Sequence, residues 1–245
     1  MEDVVKILGV NINRIGINDI VNKIEKMIQS DKFNSVFTPN SEIIMSAYKD
    51  KELLNIINNA DLLTADGIGV VYAAKIFGKP VPQRAAGYDV SKKLMEIMAE
   101  KGYTLYLFGS APGVARKAKE NLENEYKTLK IIGLHDGYFD SEEEKNIIEG
   151  INSLKLDVLF VCLGSPKQEK WIYNNRNNLN VKVAMGLGGC LDVYAGNVKR
   201  APEIYIKLGL EWLYRLIKEP KRLFRMMALP KFMITVILKK IFGGN

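Results

Sequence analysis

Apolar and polar positions follow two periods along this chain. Short, nearly continuous apolar runs bounded by Gly, Pro, Ser or Asp recur from end to end, and between them apolar residues return every three or four positions. The runs predict strands at 5–10, 33–38 and 104–109, a short one ending in Thr64 and Ala65, and further strands at 129–134, 158–164 and 181–186. The longer period predicts helices at 18–28, 41–48 and 51–58, then one opened by Gly67 and Gly69 and running to Phe77. Another helix, capped by Asp89, reaches Glu100, and others follow the turns at 110–113, 135–137 and 165–167, the last starting at Gln168. Alternating strand and helix units of this kind imply an α/β fold, a mostly parallel sheet flanked by helices in Rossmann-like units.

The last fifty residues have a different texture. Positions 203–218 read as one helix with a polar stripe of Glu203, Lys207, Glu211, Arg215 and Lys218 on an otherwise apolar cylinder, ended by Pro220. A second helix mixes Leu223, Phe224, Met226 and Met227 with Lys221, Arg222 and Arg225, and Pro230 ends that one before a last helix at 231–242. That helix would be roughly 18 Å long, short of the ~30 Å hydrocarbon core of a bilayer. The expected organisation is a catalytic α/β domain at 1–195 and a helical, membrane-associating appendage at 196–245.

Charge sharpens the division. The net charge is +7, and 196–245 holds eleven Lys and Arg against three Glu, while the first 195 residues hold 24 basic and 25 acidic side chains. A basic segment rich in aromatic and aliphatic residues favours an anionic membrane surface over nucleic acid, for which no recognisable module is present; packing on the sheet or on a second subunit is the plainer alternative. Cys162 and Cys190 lie far apart without a CxxC pattern, which fits a reducing cytoplasm, and MEDVVKILGV has acidic residues where an export signal needs basic ones.

Candidate chemistry collects at the strand-to-helix turns. Asp66 sits where a strand feeds a helix, at the sheet edge where ligands bind in open α/β folds, and it is readable as a helix cap or as a base. Arg84, in a Pro-rich loop, offers a guanidinium to an anion. Asn40 or Ser41 reads as an N-cap with a ligand role open beside it, and Gln168 with Glu169 opens a helix. The Gly109-Ser110 and Gly164-Ser165 turns could offer N–H groups to phosphate, though neither identifies a ligand by itself. The glycine patterns at 67–69 and 186–188 lack the third glycine of a dinucleotide fingerprint, and no Walker lysine motif exists, which favours a nucleotide-sugar over NAD or ATP. No Asp-x-Asp motif or metal-ligand spacing occurs, so neither metal nor cofactor is expected. His135, the single histidine, reads as a turn residue, and Glu142 to Glu144 as solvated charge at a helix start.

Taken together, Thr38-Pro39-Asn40, Thr64-Ala65-Asp66-Gly67, Arg84 with Gly87 and Asp89, Gly109-Ser110, Gly164 through Glu169, and Gly196 through Pro202 span nearly the whole chain in order. With these motifs the chain resembles the bacterial WecG/TagA/CpsF family of glycosyltransferases. The resemblance implies a metal-independent, inverting transfer of N-acetylmannosamine or a related sugar from a UDP-sugar to a polyprenyl-diphosphate-linked GlcNAc acceptor. It makes Asp66 the expected base and puts Thr38, Asn40, Arg84, Gln168, Gly109, Ser110 and Glu169 around the substrate. Arg215, Arg222 and Arg225 are expected to close over a diphosphate when the tail is docked, with the enzyme peripheral on the inner face of the cell membrane. N-acetylmannosaminuronic acid and glucose remain open as donors. A non-catalytic nucleotide or lipid-diphosphate binding protein is the alternative from another class, and a nucleotide-dependent oxidoreductase a more distant one.

Overall fold

The computed structural model describes residues 3–218 and 227–243. Six of the apolar runs assemble into one parallel sheet in the order β4-β3-β8-β7-β5-β6. Its strands are β3 (Asn34–Phe37), β4 (Leu62–Leu63), β5 (Thr104–Gly109), β6 (Lys130–His135), β7 (Leu156–Cys162) and β8 (Val181–Gly186). Side chains of a strand alternate between faces, so a strand buried on both sides must be apolar throughout. Accordingly Tyr106, Phe108, Leu159 and Val161 enter one core, and Leu105, Leu107, Val158 and Phe160 enter the other.

Helices α1 (Ile17–Ile28), α5 (Gly87–Lys101), α6 (Val114–Glu125) and α9 (Cys190–Tyr194) cover the second of these faces. The first is covered by α2 (Ser41–Lys49), α3 (Lys51–Asn58), α4 (Ile68–Ile76), α7 (Ser141–Asn152) and α8 (Lys167–Asn175). The α/β class with helices on both faces is as the periodicity indicates.

Local differences from the sequence pattern have identifiable causes. The run at 5–10 is an antiparallel hairpin, β1 (Val4–Ile7) with β2 (Val10–Asn13), because Leu8 and Gly9 turn the chain at φ 48° and 98°. A leucine in that region gives no turn signal. Helix α5 starts at Gly87 after Ala86, so Asp89 lies in its first turn rather than at its cap. The 203–218 segment is two helices, α10 (Glu203–Lys207) and α11 (Glu211–Lys218), separated at Gly209 with φ 72°. A Cβ there would come within 2.9 Å of Ile68 Cγ1, so the kink lays the tail against the start of α4. Pro230 does not end a helix: it occupies the first turn of the C-terminal helix Ala228–Phe242, where no N–H is needed for the ladder. The helix expected around Leu223 lies outside the described residues.

The C-terminal helix packs on α2 and α4. Phe232 and Val236 are fully buried in the same core as Phe37 and Ile44, while Ile234, Ile237, Leu238, Ile241 and Phe242 are exposed on its other side. Val236→Ala is expected to cost about 2–3 kcal/mol from lost transfer energy and the cavity left behind, and Ile237→Ala under about 0.5 kcal/mol. Thermal unfolding distinguishes them: equal melting temperatures for the two variants would mean that this helix is not part of the core. Among the described residues, no helix is long and apolar enough to cross a membrane.

Candidate active site

Loops leaving the carboxyl ends of β3, β4, β7 and β8 meet in one place. Thr38, just past β3, is buried and donates its hydroxyl to the Gly186 carbonyl at 3.3 Å, joining the ends of β3 and β8. Gly87 lies against it: a Cβ at that position would stand 2.9 Å from Thr38 Oγ1, so the start of α5 approaches as closely as only glycine permits. Asn40 is the N-cap of α2, its Oδ1 accepting from the N–H groups of Glu42 at 2.9 Å and Ile43 at 3.0 Å. The cap engages the carbonyl oxygen and leaves the amide nitrogen for a ligand.

Asp66 is half-buried, one residue outside the N-cap of α4, a position taken by Gly67. Its loop is pinned to the loop before α5. Thr64 Oγ1 donates to the Ala85 carbonyl at 2.9 Å, and the Ala85 N–H donates to the Ala65 carbonyl at 2.9 Å. These two bonds join the segments that carry Asp66 and Arg84, and the Asp66 carboxylate is among the charges that favour the cationic guanidinium.

Arg84 has two further anionic neighbours. Its Nη1 donates to Glu211 Oε2 at 2.6 Å and its Nη2 to Asp89 Oδ2 at 3.0 Å, with the Arg84 and Glu211 side chains only 16% and 14% exposed. Arg200 pairs with the other oxygen of Asp89 and stacks over the Tyr88 ring at 4.5 Å. Burial is the largest single influence on Arg84 and opposes its charge, yet Glu211, Asp66 and Asp89 together outweigh it and raise its pKa. Arg84 therefore stays cationic in a confined, polar setting, and a residue of α11 reaches directly into it.

Gln168 and Glu169, at the start of α8, are both buried. Gln168 Oε1 accepts from the Gly188 N–H at 2.9 Å, and its Nε2 donates to Glu169 Oε1 at 2.9 Å, which ties the loop after β8 to α8. Glu169 Oε2 has no hydrogen-bond partner among the described residues. Burial raises the pKa of this carboxyl, and the bond from Gln168 only partly offsets it. The folded protein therefore binds this proton more tightly than the unfolded chain does. The resulting stabilisation is fully present below the ordinary value of 4.5 and is lost as pH rises through the raised one. Glu169→Gln should remove this dependence, so the variant gains melting temperature relative to wild type between about pH 4 and about pH 7. The same difference at both pH values would show that Glu169 ionises freely.

Gly109 and Ser110 lie further along the sheet edge. The Ser110 N–H donates to the Cys162 carbonyl at 3.0 Å and its hydroxyl to Asp192 Oδ2 at 3.0 Å. His135 ends β6 on the opposite edge from β4, its Nδ1 2.9 Å from the Asp136 carbonyl, in keeping with a local role. Arg215 belongs to α11, whereas Arg222 and Arg225 lie outside the described residues. Among the described residues no three His, Cys, Asp or Glu side chains form a metal site.

With this edge in place, the profile described as "Glycosyl transferase WecG/TagA/CpsF family" matches residues 5–245. The chain belongs to this family. It is 36% identical over 222 residues to the N-acetylglucosaminyldiphosphoundecaprenol N-acetyl-beta-D-mannosaminyltransferase of Bacillus subtilis (strain 168), a match covering 90% of this chain and 86% of the relative. The enzyme of the same name from Staphylococcus aureus (strain MRSA252) is 34% identical over 238 residues, 96% of this chain and 93% of the relative. The protein is a glycosyltransferase of the WecG/TagA/CpsF family.

For a glycosyltransferase the arrangement has a clear division of labour. A carboxylate and a guanidinium held by adjoining loops are groups that can take up a proton and meet an anion. Thr38, Asn40, Asp66, Arg84, Gln168 and Glu169 all lie at loops leaving the carboxyl ends of β3, β4 and β7 or preceding α5, as their turn positions imply. Glu211 and Asp192 were not among the sequence candidates. Glu211 has only its place in a polar stripe as a signal, and Asp192 is a first-turn acid of a short helix.

Proposed function

We propose that this enzyme transfers N-acetylmannosamine from UDP-ManNAc to GlcNAc-diphospho-undecaprenol, with inversion and without a metal, forming the linkage disaccharide of wall teichoic acid. The observation that supports this most is that the Thr64–Ala85 and Ala85–Ala65 bonds join the segment carrying Asp66 to the one carrying Arg84. An acceptor hydroxyl attacks the anomeric carbon as the bond to UDP breaks. The proton passes to Asp66, and the electron pair leaves with UDP, whose growing charge Arg84 meets. Single displacement inverts the anomeric centre. Thr38, Asn40, Gln168 and Glu169 surround the sugar, and Arg215, Arg222 and Arg225 add cations when the tail closes.

Residues 1–195 act as the catalytic unit and 196–245 as the membrane-associating one, peripheral on the cytoplasmic face. The exposed Ile234, Ile237, Leu238, Ile241 and Phe242, with Lys231, Lys239 and Lys240 on the same helix, suit a helix lying in the lipid interface. The lipid-linked acceptor of the named relatives agrees with that placement.

A panel of UDP-sugars offered with a short-chain GlcNAc-diphosphate lipid, with and without EDTA, tests donor and metal together by product mass. Product from UDP-ManNAc that persists in EDTA is expected. Product only from UDP-ManNAcA or UDP-glucose would reassign the donor, and loss in EDTA would end the metal-free mechanism.

A further inference from the structure

The Gly209 kink sets the tail down beside the loop that carries Asp66. At φ 72°, and with Ile68 Cγ1 only 2.9 Å from where a Cβ would stand, Gly209 turns the chain against the first residue of α4. Helix α11 begins two residues later with Glu211 in its first turn. A carboxylate of the tail thus enters the surroundings of Arg84.

Arg84 is held there at two corners. A guanidinium carries five N–H donors in one plane, and Nη1 donates to Glu211 Oε2 at 2.6 Å while Nη2 donates to Asp89 Oδ2 at 3.0 Å. Asp89 is itself fixed, because Arg200 pairs with its other oxygen and lies over the Tyr88 ring. Two bonds engage two of the five donors, and three N–H groups remain for an anion. The two corners have different origins. Asp89 belongs to α5 in the core, whereas Glu211 arrives from 127 positions further along the chain. The Arg84 and Glu211 side chains are both mostly withdrawn from water, so a charge-assisted bond between them holds its geometry better than an exposed pair would. Burial opposes the charge of Arg84, and Glu211 contributes more than Asp66 or Asp89 to offsetting it.

Resting on the reading of Arg84 as the group that meets the departing diphosphate, we propose that Glu211 is a positioning residue for transfer, its carboxylate fixing the Arg84 fork so that the remaining N–H groups meet the charge developing on the leaving group. The tail then acts on the chemistry through an acid, independently of lipid and of its own basic residues. An arginine held by Asp89 alone would keep its charge but lose its setting as the bond to UDP breaks, which lowers kcat more than it lowers donor affinity.

Transfer by the full chain to a water-soluble, short-chain GlcNAc-diphosphate lipid tests this, using whichever of UDP-ManNAc, UDP-ManNAcA or UDP-glucose wild type accepts. Glu211→Ala and Glu211→Gln are the variants, with UDP affinity, thermal unfolding and amide exchange over 203–218 measured beside them. Misplacing a reacting group by about 1 Å can cost on the order of 10²-fold, so Glu211→Ala should lower kcat about 10–100-fold with UDP affinity close to wild type. Glu211→Gln keeps an oxygen that can accept from Nη1 and should lose less. In an Arg84→Ala background, Glu211→Ala should cost no further transfer, since the group it positions is gone. Faster transfer or tighter UDP binding by Glu211→Ala overturns the proposal, because the carboxylate would then be blocking the anion site. Unchanged kcat in the folded variant overturns it too, and so does an equal further loss in the Arg84→Ala background. Loss of amide protection over 203–218 in Glu211→Ala would assign the effect to departure of the tail and overturn it as well. Normal transfer by Arg84→Ala alone, or a wild type that uses none of the donors, would instead defeat the readings on which this one rests, and this one with them.

Discussion

Asp66→Asn is expected to lower kcat by about 10²–10⁴-fold while leaving donor binding and the melting temperature close to wild type. The two side chains have the same shape, and the loop that holds position 66 is fixed by bonds from Thr64 and Ala85, which the substitution does not touch. Arg84 would keep Glu211 and Asp89 as partners, so its charge and place persist. What disappears is the group that takes the acceptor proton as the glycosidic bond forms. Single-turnover transfer measured beside donor affinity separates the outcomes. A variant with normal turnover would dismiss Asp66 as the base, and one that lost donor affinity in proportion to rate would make Asp66 a binding residue.

Much of the sheet and of this cleft was legible because its signals are local. Gly, Ser and Asp at the ends of apolar runs mark strand-to-helix turns, and Asn40 announces its cap by position alone. Asp66 and Arg84 lie in loops on either side of one short helix, so each was readable from its own turn. The missed features depend on distant partners. Glu211 meets Arg84 across 127 positions, and no pattern in either segment encodes that contact. The kink at Gly209 was masked because a polar stripe at four-residue spacing runs straight across it, while the contact that places the kink comes from Ile68. Likewise Pro230 signals a break by composition but is admissible in a first turn, a distinction decided by where the preceding chain enters. The Ser110–Asp192 pair joins segments 82 positions apart and was invisible for the same reason.

Arg84→Ala should reduce transfer by about 10²–10³-fold, the scale of removing one preorganised group that meets developing charge. The loss should appear in kcat and kcat/KM together, because the guanidinium matters most as charge moves onto the departing diphosphate. The substitution also removes the Arg84 bond to Glu211, which is 14% exposed, so some loss of stability accompanies it. Asp89 retains Arg200 and is less affected. The double variant Arg84→Ala with Glu211→Gln divides the two consequences: neutralising Glu211 lightens the cost of a confined carboxylate that has lost its bond to Arg84 and should recover part of the melting temperature, yet it supplies no cation and should leave transfer as low as in Arg84→Ala. Recovery of activity along with stability would mean that Arg84 serves only to anchor α11. Lysine at 84 provides the finer comparison. It keeps the positive charge but lacks the fork that engages Glu211 and Asp89 through separate nitrogens. Its activity should therefore fall between those of wild type and alanine if both charge and geometry are used.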